Sequence, residues 1–185
     1  MTHLPPSSHG RFPTTRLRRN RQHGWFRAMV AETCLTPADL IWPLFVHGKE
    51  ESEPVAAMPG VERLPIAGVV RAAAEAKALG IPAIALFPVI DPADKAADGS
   101  HALDPNNLTC QAVRAIKAET GNEVGLICDV ALDPYTTHGH DGLLQDGQIL
   151  NDETVAVLAQ QAVLLAEAGC HVVAPSDMMD GRVAA

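Results

Sequence analysis

Apolar and polar positions alternate along the chain in segments that predict strands and helices in turn. Short apolar segments have strand character, and longer segments carry apolar residues at helical spacing. The predicted strands are 39–46, 82–89, 123–132 and 171–177, and the predicted helices are 64–80, 104–121 and 151–169. Apolar strands that alternate with helices favour an α/β fold around a parallel sheet.

Residues that cap helices mark the predicted helix ends. Gly80 and Gly121 follow the first two helices and predict glycine C-caps. Asn151 or Asp152 is expected to cap the start of the third helix. Apolar residues recur on one face of that helix at positions 155, 158, 162 and 165, as expected for a helix that packs on a sheet.

Two architectures fit this order of elements, an open doubly wound sheet and a (β/α)8 TIM barrel. No strand is followed by a glycine-rich phosphate loop, which removes the usual evidence for a nucleotide-binding sheet. A full barrel needs about 250 residues. The chain has 185 residues and supplies about the first four β/α units. The final segment, "DGRVAA", resembles the first turn of another helix, so the chain is expected to be a fragment.

Composition narrows the class of protein. Hydrophobic residues make up 47% of the chain, aromatic residues make up 4%, and no apolar run approaches the roughly 20 residues that span a bilayer. A soluble globular protein with no membrane role is expected. The four cysteines show neither C-x-C nor C-x-x-C spacing, which predicts reduced thiols in a cytoplasmic protein.

Charge is distributed unevenly along the chain. The formal net charge is −8, yet residues 1–31 contain six arginines and no acid. We therefore assign residues 1–34 to a basic N-terminal arm and residues 35–185 to a truncated barrel domain. A nucleic-acid arm would need interleaved aromatic residues, and a mitochondrial targeting helix would be interrupted by early prolines. We favour an arm that docks on an acidic neighbour, another subunit, with no nucleic-acid partner.

The third predicted strand carries the candidate chemistry. Side chains alternate along a strand, so the residues at 124, 126, 128, 130 and 132 form one apolar face. Asp129, Ala131 and Asp133 lie on the other face, near the carboxyl end, where barrel active sites lie. An unpaired carboxylate at Asp129 would be costly to bury, so it needs a partner or a function. Asp133 precedes a proline and could simply begin a turn.

The segment 134–150 is expected to be a long loop of the kind that often covers a site. It contains His138, His140 and Asp141. With Asp129, the two histidines would suit a metal-dependent barrel hydrolase. The residues alone leave this function open as an alternative. A further alternative is a non-catalytic half-barrel that acts only through assembly.

Several motifs resemble the delta-aminolevulinic acid dehydratase (porphobilinogen synthase) family. They are "RLRRNR", "PGVERLPI", "ALFPV", "DVALDPYTTHGHDG" and "APSDMMDGR", and they occur in the family's order from about residue 16 to residue 185. The resemblance covers the N-terminal half of the family. It implies a TIM barrel with an N-terminal arm, assembly into homo-octamers or hexamers, and a lyase that condenses two molecules of 5-aminolevulinate to porphobilinogen with loss of water in tetrapyrrole (haem) biosynthesis.

The resemblance also implies site residues. Zinc-dependent members hold three cysteines at the positions of Ala131, Asp133 and Asp141, so no catalytic zinc is expected here. The resemblance implies magnesium, a monovalent cation or no metal in the active site of such members, and no organic cofactor is expected. Asp133 and Asp141 are then expected to bind substrate.

Two further positions are expected to act in the reaction, and three others are expected to lie near a cation. Asp129 and Ser176 are carried over as catalytic candidates at the barrel mouth. The resemblance also places an allosteric magnesium site near Asp177, Asp180 and Arg182.

The family's two Schiff-base lysines are expected to lie beyond the matched half. A Schiff-base lysine needs a desolvated site that lowers its pKa. The lysines of this chain, at positions 49, 77, 95 and 117, lie in polar segments or on helices. The chain alone is therefore predicted to be inactive.

Overall fold

The computed structural model describes Gly10 and residues 12–185. The first nine residues of the predicted arm and Arg11 lie outside the described residues. The strands are β1 (Ile41–His47), β2 (Glu53–Pro54), β3 (Glu62–Leu64), β4 (Ala83–Val89), β5 (Gly125–Val130), β6 (Leu144–Gln145), β7 (Gln148–Ile149) and β8 (Val172–Pro175). The helices are α1 (Gly24–Met29), α2 (Ile66–Leu79), α3 (Leu108–Thr120) and α4 (Asn151–Ala168).

The chain divides into two compact units, one ending at Thr36 and one spanning Pro37–Ala185. The described part of the first unit holds a 3-10 helix, Leu17–Arg21, followed by α1. Large apolar side chains of this unit are exposed, among them Leu17, Trp25 and Met29. This unit therefore presents apolar and basic side chains together on its surface.

Strand order in the second unit distinguishes the two architectures that the sequence left open. The main sheet has the order β2-β3-β1-β4-β5-β8, and β1, β4, β5 and β8 are parallel. Each of these four strands pairs with the next one along the chain, whereas a doubly wound sheet reverses its order at a switch point. α2 contacts α3, and α3 contacts α4, so the helices follow one another as the strands do. The unit is a partial barrel.

The core lies between these helices and the face of the sheet that they cover. Leu44, Ile84, Leu86, Leu126 and Cys128 all have at most 4% of their surface exposed. Residues on the opposite face are only half-buried, including Phe45 and Phe87, which are register partners with ring centroids 6.0 Å apart. The predicted alternation is confirmed within β5, where Leu126, Cys128 and Val130 are buried and the residues between them are half-buried. Beyond the strand, Ala131 and Leu132 are both buried.

Some predicted boundaries were wrong. β5 ends at Val130, so alternation along the strand does not reach Asp133, which lies in the turn that follows. The predicted loop 134–150 contains the β6–β7 hairpin. Neither Asn151 nor Asp152 is the N-cap of α4. That position belongs to Leu150, and the Asn151 side chain bonds the backbone of Asp180 instead.

None of the described helices is long and apolar enough to cross a membrane.

Gly80 ends α2 as the sequence predicts. Its φ is 75°, in the left-handed region, and its N–H donates to the last carbonyls of the helix. Replacing it with alanine should lower the free energy of unfolding by about 1 kcal/mol, because a side chain is strained at this φ. Chemical denaturation would measure the change. Gly48→Ala, with a negative φ and no atom within 4 Å of the added carbon, is the matched control. Equal effects of the two substitutions would contradict this account.

Candidate functional site at the carboxyl ends of β5 and β8

Asp129 is the central acidic group of the site. It lies near the carboxyl end of β5, and its register partner on β8 is Ala174, two residues before Ser176. Burial raises the pKa of the Asp129 carboxyl above its usual range. A hydrogen bond from the Ser176 hydroxyl lowers that pKa, while the negative charges of Asp133 and Asp177 raise it further. The carboxyl group therefore holds its proton more tightly than an exposed aspartate.

Asp133 lies at the mouth, beyond the end of β5. Partial removal from water raises the pKa of its carboxyl, and the nearby charge of Asp141 adds to this effect. The positive charge of Lys95 acts in the opposite direction. The structure thus brings together Asp129, Asp133 and Asp141, which the sequence placed at one site.

Lys95 lies near the site, although its polar loop gives no indication of this in the sequence. The loop after β4 is held against the loop after β5 by backbone hydrogen bonds, in which Ala96 donates to Tyr135 and Thr137 donates to Ala96. Both loops follow neighbouring parallel strands, so their ends meet at one edge. That adjacency is the signal that could have found Lys95.

The loop after β5 is anchored at both ends. The hydroxyl groups of Tyr135 and Thr109 lie 2.9 Å apart in the core, and the Thr136 hydroxyl donates to the carbonyl of His140. At the far end, a side chain at Gly142 would come within 2.7 Å of Ile149 and 3.0 Å of Met179. The loop is therefore packed closely where it meets the segment after β8.

The two histidines do not form the metal site of the hydrolase alternative. His138 and His140 are exposed, and the His138 Nδ1 accepts the backbone N–H of His140. The His140 Nδ1 lies 2.8 Å from Asp141 Oδ1. Within Gly10 and residues 12–185, no three His, Cys, Asp or Glu side chains are grouped as metal ligands. The geometry therefore does not favour the hydrolase.

The segment after β8 is fixed by an internal ion pair. The Asp177 carboxylate is buried, its Oδ1 accepts the N–H of Met179 at 2.7 Å, and its Oδ2 lies 3.2 Å from Arg182 Nε. The last two atoms are close enough for an ion pair but are not aligned as a hydrogen bond. Asn151 on α4 bonds both the N–H and the carbonyl of Asp180. These contacts hold the turn that carries Ser176.

Gln161 is another residue that supports the site and does not belong to the motifs found in the sequence. It is buried on α4, and its Nε2 donates to the carbonyl of Ala131 at 3.1 Å, directly after β5. A glutamine on the packed face of an otherwise apolar helix is the sequence signal for such a contact. The bond helps to set the path of the chain between Asp129 and Asp133.

Replacement of Asp129 with asparagine should stabilise the chain in a pH-dependent way. Because the folded-state pKa is raised, ionising Asp129 opposes folding, so wild-type stability is lost as pH rises above the usual aspartate value of 3.8. The thermal midpoint of D129N should exceed that of the wild type at neutral pH, and the two should converge below pH 3.8. Asp146→Asn, at the exposed hairpin tip, is the control. A constant difference at all pH values would refute the explanation.

Loss of Arg182 should destabilise the segment after β8. Arg182→Met leaves the buried Asp177 without a counter-charge and should cost about 1–3 kcal/mol. Denaturant unfolding would measure this cost. Adding Asp177→Asn to the same chain should recover part of it, whereas the exposed control Arg71→Met should change stability by less than about 0.5 kcal/mol. No recovery in the double variant would contradict the ion-pair account.

Comparison with known proteins identifies the family. The family model described as delta-aminolevulinic acid dehydratase matches residues 14–185. The chain is 62% identical over 171 residues to the delta-aminolevulinic acid dehydratase of Bradyrhizobium diazoefficiens, covering 92% of this chain and 48% of that protein. Identity to the Chlamydia pneumoniae dehydratase is 44%, covering 91% of this chain and 51% of the relative.

A solved structure gives the same result. It is the Toxoplasma gondii delta-aminolevulinic acid dehydratase (porphobilinogen synthase) in complex with the reaction product porphobilinogen. The match has a TM-score of 0.86 and 44% sequence identity, and covers 91% of this chain and 48% of that one. The chain thus spans about half the length of the relatives it matches. Because the family model and these relatives match nearly the whole chain, it belongs to the delta-aminolevulinic acid dehydratase family.

Proposed function

We propose that the chain forms the N-terminal half of an active site that condenses two molecules of 5-aminolevulinate to porphobilinogen. The observation that carries this proposal is the Asp129–Ser176 pair at the carboxyl ends of neighbouring barrel strands. The relative from Toxoplasma gondii holds porphobilinogen, which supports the same product here.

The electrostatics of the pair suit proton transfer. A carboxyl group whose pKa is raised by burial can take up and release a proton closer to neutral pH than an exposed aspartate can. The Ser176 hydroxyl orients the Asp129 carboxyl, and the Asp177–Arg182 pair holds the turn that carries Ser176. In this proposal Asp129 moves protons during the condensation and Ser176 positions it.

Asp133 and Asp141 supply negative charge at the mouth, with Lys95 as a nearby counter-charge. Substrate carries an ammonium group, which these carboxylates attract. We assign Asp133 and Asp141 to substrate binding and Lys95 to the balance of charge at the mouth.

The donor set suits a hard cation better than zinc. Ala131 has no ligand atom, and Asp133 and Asp141 offer oxygens, which magnesium and monovalent cations prefer over soft thiolate sites. We propose that catalysis needs no zinc at these positions.

The predicted allosteric magnesium site is less well supported at Asp177, whose carboxylate already binds Arg182 and a backbone N–H. Asp180 is exposed and its backbone is held by Asn151, so it is the better candidate for a water-bridged cation. A magnesium ion near Asp180 remains a prediction of the family resemblance.

The first unit fits a role in assembly. It exposes apolar side chains, including Trp25 and Met29, beside the arginines of its 3-10 helix. Exposed apolar patches of this kind mark protein interaction sites. We propose that the arm docks on an acidic surface of another subunit, and that the assembly works in the cytoplasm, where its free cysteines stay reduced.

A chimera tests the catalytic proposal. Residues 14–185 would replace the matching half of the Bradyrhizobium diazoefficiens relative, and porphobilinogen formation from 5-aminolevulinate would be measured. Asp129→Asn should lower kcat by about 10²–10⁴-fold, as expected for loss of a proton-transfer group, while Asp146→Asn should have little effect. The 185-residue chain alone should form no product.

Two results would contradict the proposal. A folded D129N chimera with unchanged kcat would exclude Asp129 from the reaction. Product formed by the 185-residue chain alone would show that the condensation needs no residue beyond this half.

A further inference from the structure

Two cysteine thiols meet where β5 pairs with β8. Cys128 lies on the helix-facing side of β5 and has no exposed surface. Cys170 lies two residues before β8 and is half-buried. The Cys128 thiol donates a hydrogen bond to the sulfur of Cys170. Neither thiol takes part in the proposed reaction, so the pair needs an explanation of its own.

Backbone contacts of the sheet hold the two cysteines together. β5 and β8 are parallel neighbours, and the N–H of His171, next to Cys170, donates to the carbonyl of Leu126 at 2.9 Å. The Cys170 sulfur lies 3.3 Å from that same carbonyl oxygen on the β5 side and 2.9 Å from the carbonyl oxygen of Val172 in β8. The sulfur is therefore fixed between the two strands, and the contact with Cys128 persists while the strands stay paired.

The two thiols differ in access and in acidity. The hydrogen bond from Cys128 lowers the pKa of the Cys170 thiol, and burial opposes this effect. The same hydrogen bond raises the pKa of the Cys128 thiol, and burial raises it further. The thiolate is the reacting form of cysteine, and oxidation needs access to the sulfur. Cys170 is therefore the member of the pair that reacts first with an oxidant.

We propose that Cys128 and Cys170 form a reversible disulfide when the chain meets a hydroperoxide. The Cys170 thiolate attacks one oxygen of hydrogen peroxide and the O–O bond breaks. Cys170 becomes a sulfenic acid, and the departing hydroxide takes up the proton that the thiol released. The Cys128 thiol then attacks the sulfenic sulfur, so that the S–S bond forms, the S–O bond breaks, and water leaves with the Cys128 proton. The two thiols lose two electrons in total, which reduce the peroxide to water.

The buried position of Cys128 is compatible with this sequence of steps. Cys128 needs no access to solvent, because the sulfur that it attacks already lies against it. Cys110 is also buried nearby, but it affects Cys128 through its charge and not through a hydrogen bond. Cys34 is exposed in the first unit. A disulfide that forms on oxidation is the transient kind found in cytoplasmic proteins, whose cysteines are otherwise reduced.

The disulfide would join β5, one residue before Asp129, to the start of β8, which leads to Ser176. It would thus fix the pairing of strands on which the contact between Asp129 and Ser176 depends; this consequence alone rests on the proposed function. A disulfide also restricts the unfolded chain, so the oxidised form should be the more stable one.

Peptide mapping of the oxidised chain tests the pairing. The 185-residue chain carries Cys34→Ser, which removes the exposed thiol, and is treated with hydrogen peroxide, alkylated and cleaved after glutamate. Glu153 and Glu167 separate Cys128 from Cys170 in the sequence. The disulfide should therefore appear as two linked peptides that dithiothreitol releases.

Thermal melting provides a second measurement on the same samples. Oxidation should raise the thermal midpoint by about 5 °C or more, and dithiothreitol should reverse the rise. Cys170→Ala should lose both the link and the rise, whereas Cys110→Ala, a matched buried cysteine, should keep both. Melting of the reduced variants would establish that each one is folded.

A folded, peroxide-treated chain without the link between Cys128 and Cys170, or with Cys170 joined to Cys110, would overturn the proposal. Oxidation of Cys170 to a sulfinic acid while Cys128 remains open to alkylation would do the same. Product formation by the chimera tests the proposed function separately, because the disulfide forms or fails to form without substrate.

Discussion

A carboxylate near the end of an apolar strand must be stabilised by groups from other strands, because its own strand offers none. Asp129 is in this position, with buried Cys128 and Val130 on either side. Its hydrogen-bond partner, Ser176, comes from the turn after β8, the neighbouring strand. Correct pairing of β5 with β8 is therefore a condition for the site, and the packing of α4 is a condition for that pairing.

α4 supports the site through polar contacts as well as through its apolar face. Gln161 bonds the chain after β5, and Asn151 bonds the turn after β8. The Thr154 hydroxyl accepts the N–H of Leu143 and so holds the intervening loop. One helix therefore fixes three segments that contribute to the mouth. These three contacts explain why α4 carries polar residues among its apolar ones.

The mouth of the partial barrel collects charge of both signs. Carboxylates dominate near β5, where the pKa of Asp129 and that of Asp133 are both raised. Near β1 and β4, Lys49 adds a positive charge beside the acidic groups of the next loop. The charge at the mouth therefore differs from one pair of neighbouring strands to the next.

Local patterns in the sequence determined the helices, the four long strands and the inward direction of Asp129, because helix periodicity, strand alternation and glycine caps act over a few residues. α2 ends at Gly80 as predicted, and β5 buries the predicted face. Only the tertiary structure decided that Lys95 lies near Asp133, that Asn151 binds Asp180 in place of capping α4, and that His47 Nε2 is buried without a partner. The contacts of Lys95 and Asn151 join segments far apart in the chain, and the order of parallel strands determines which loops meet.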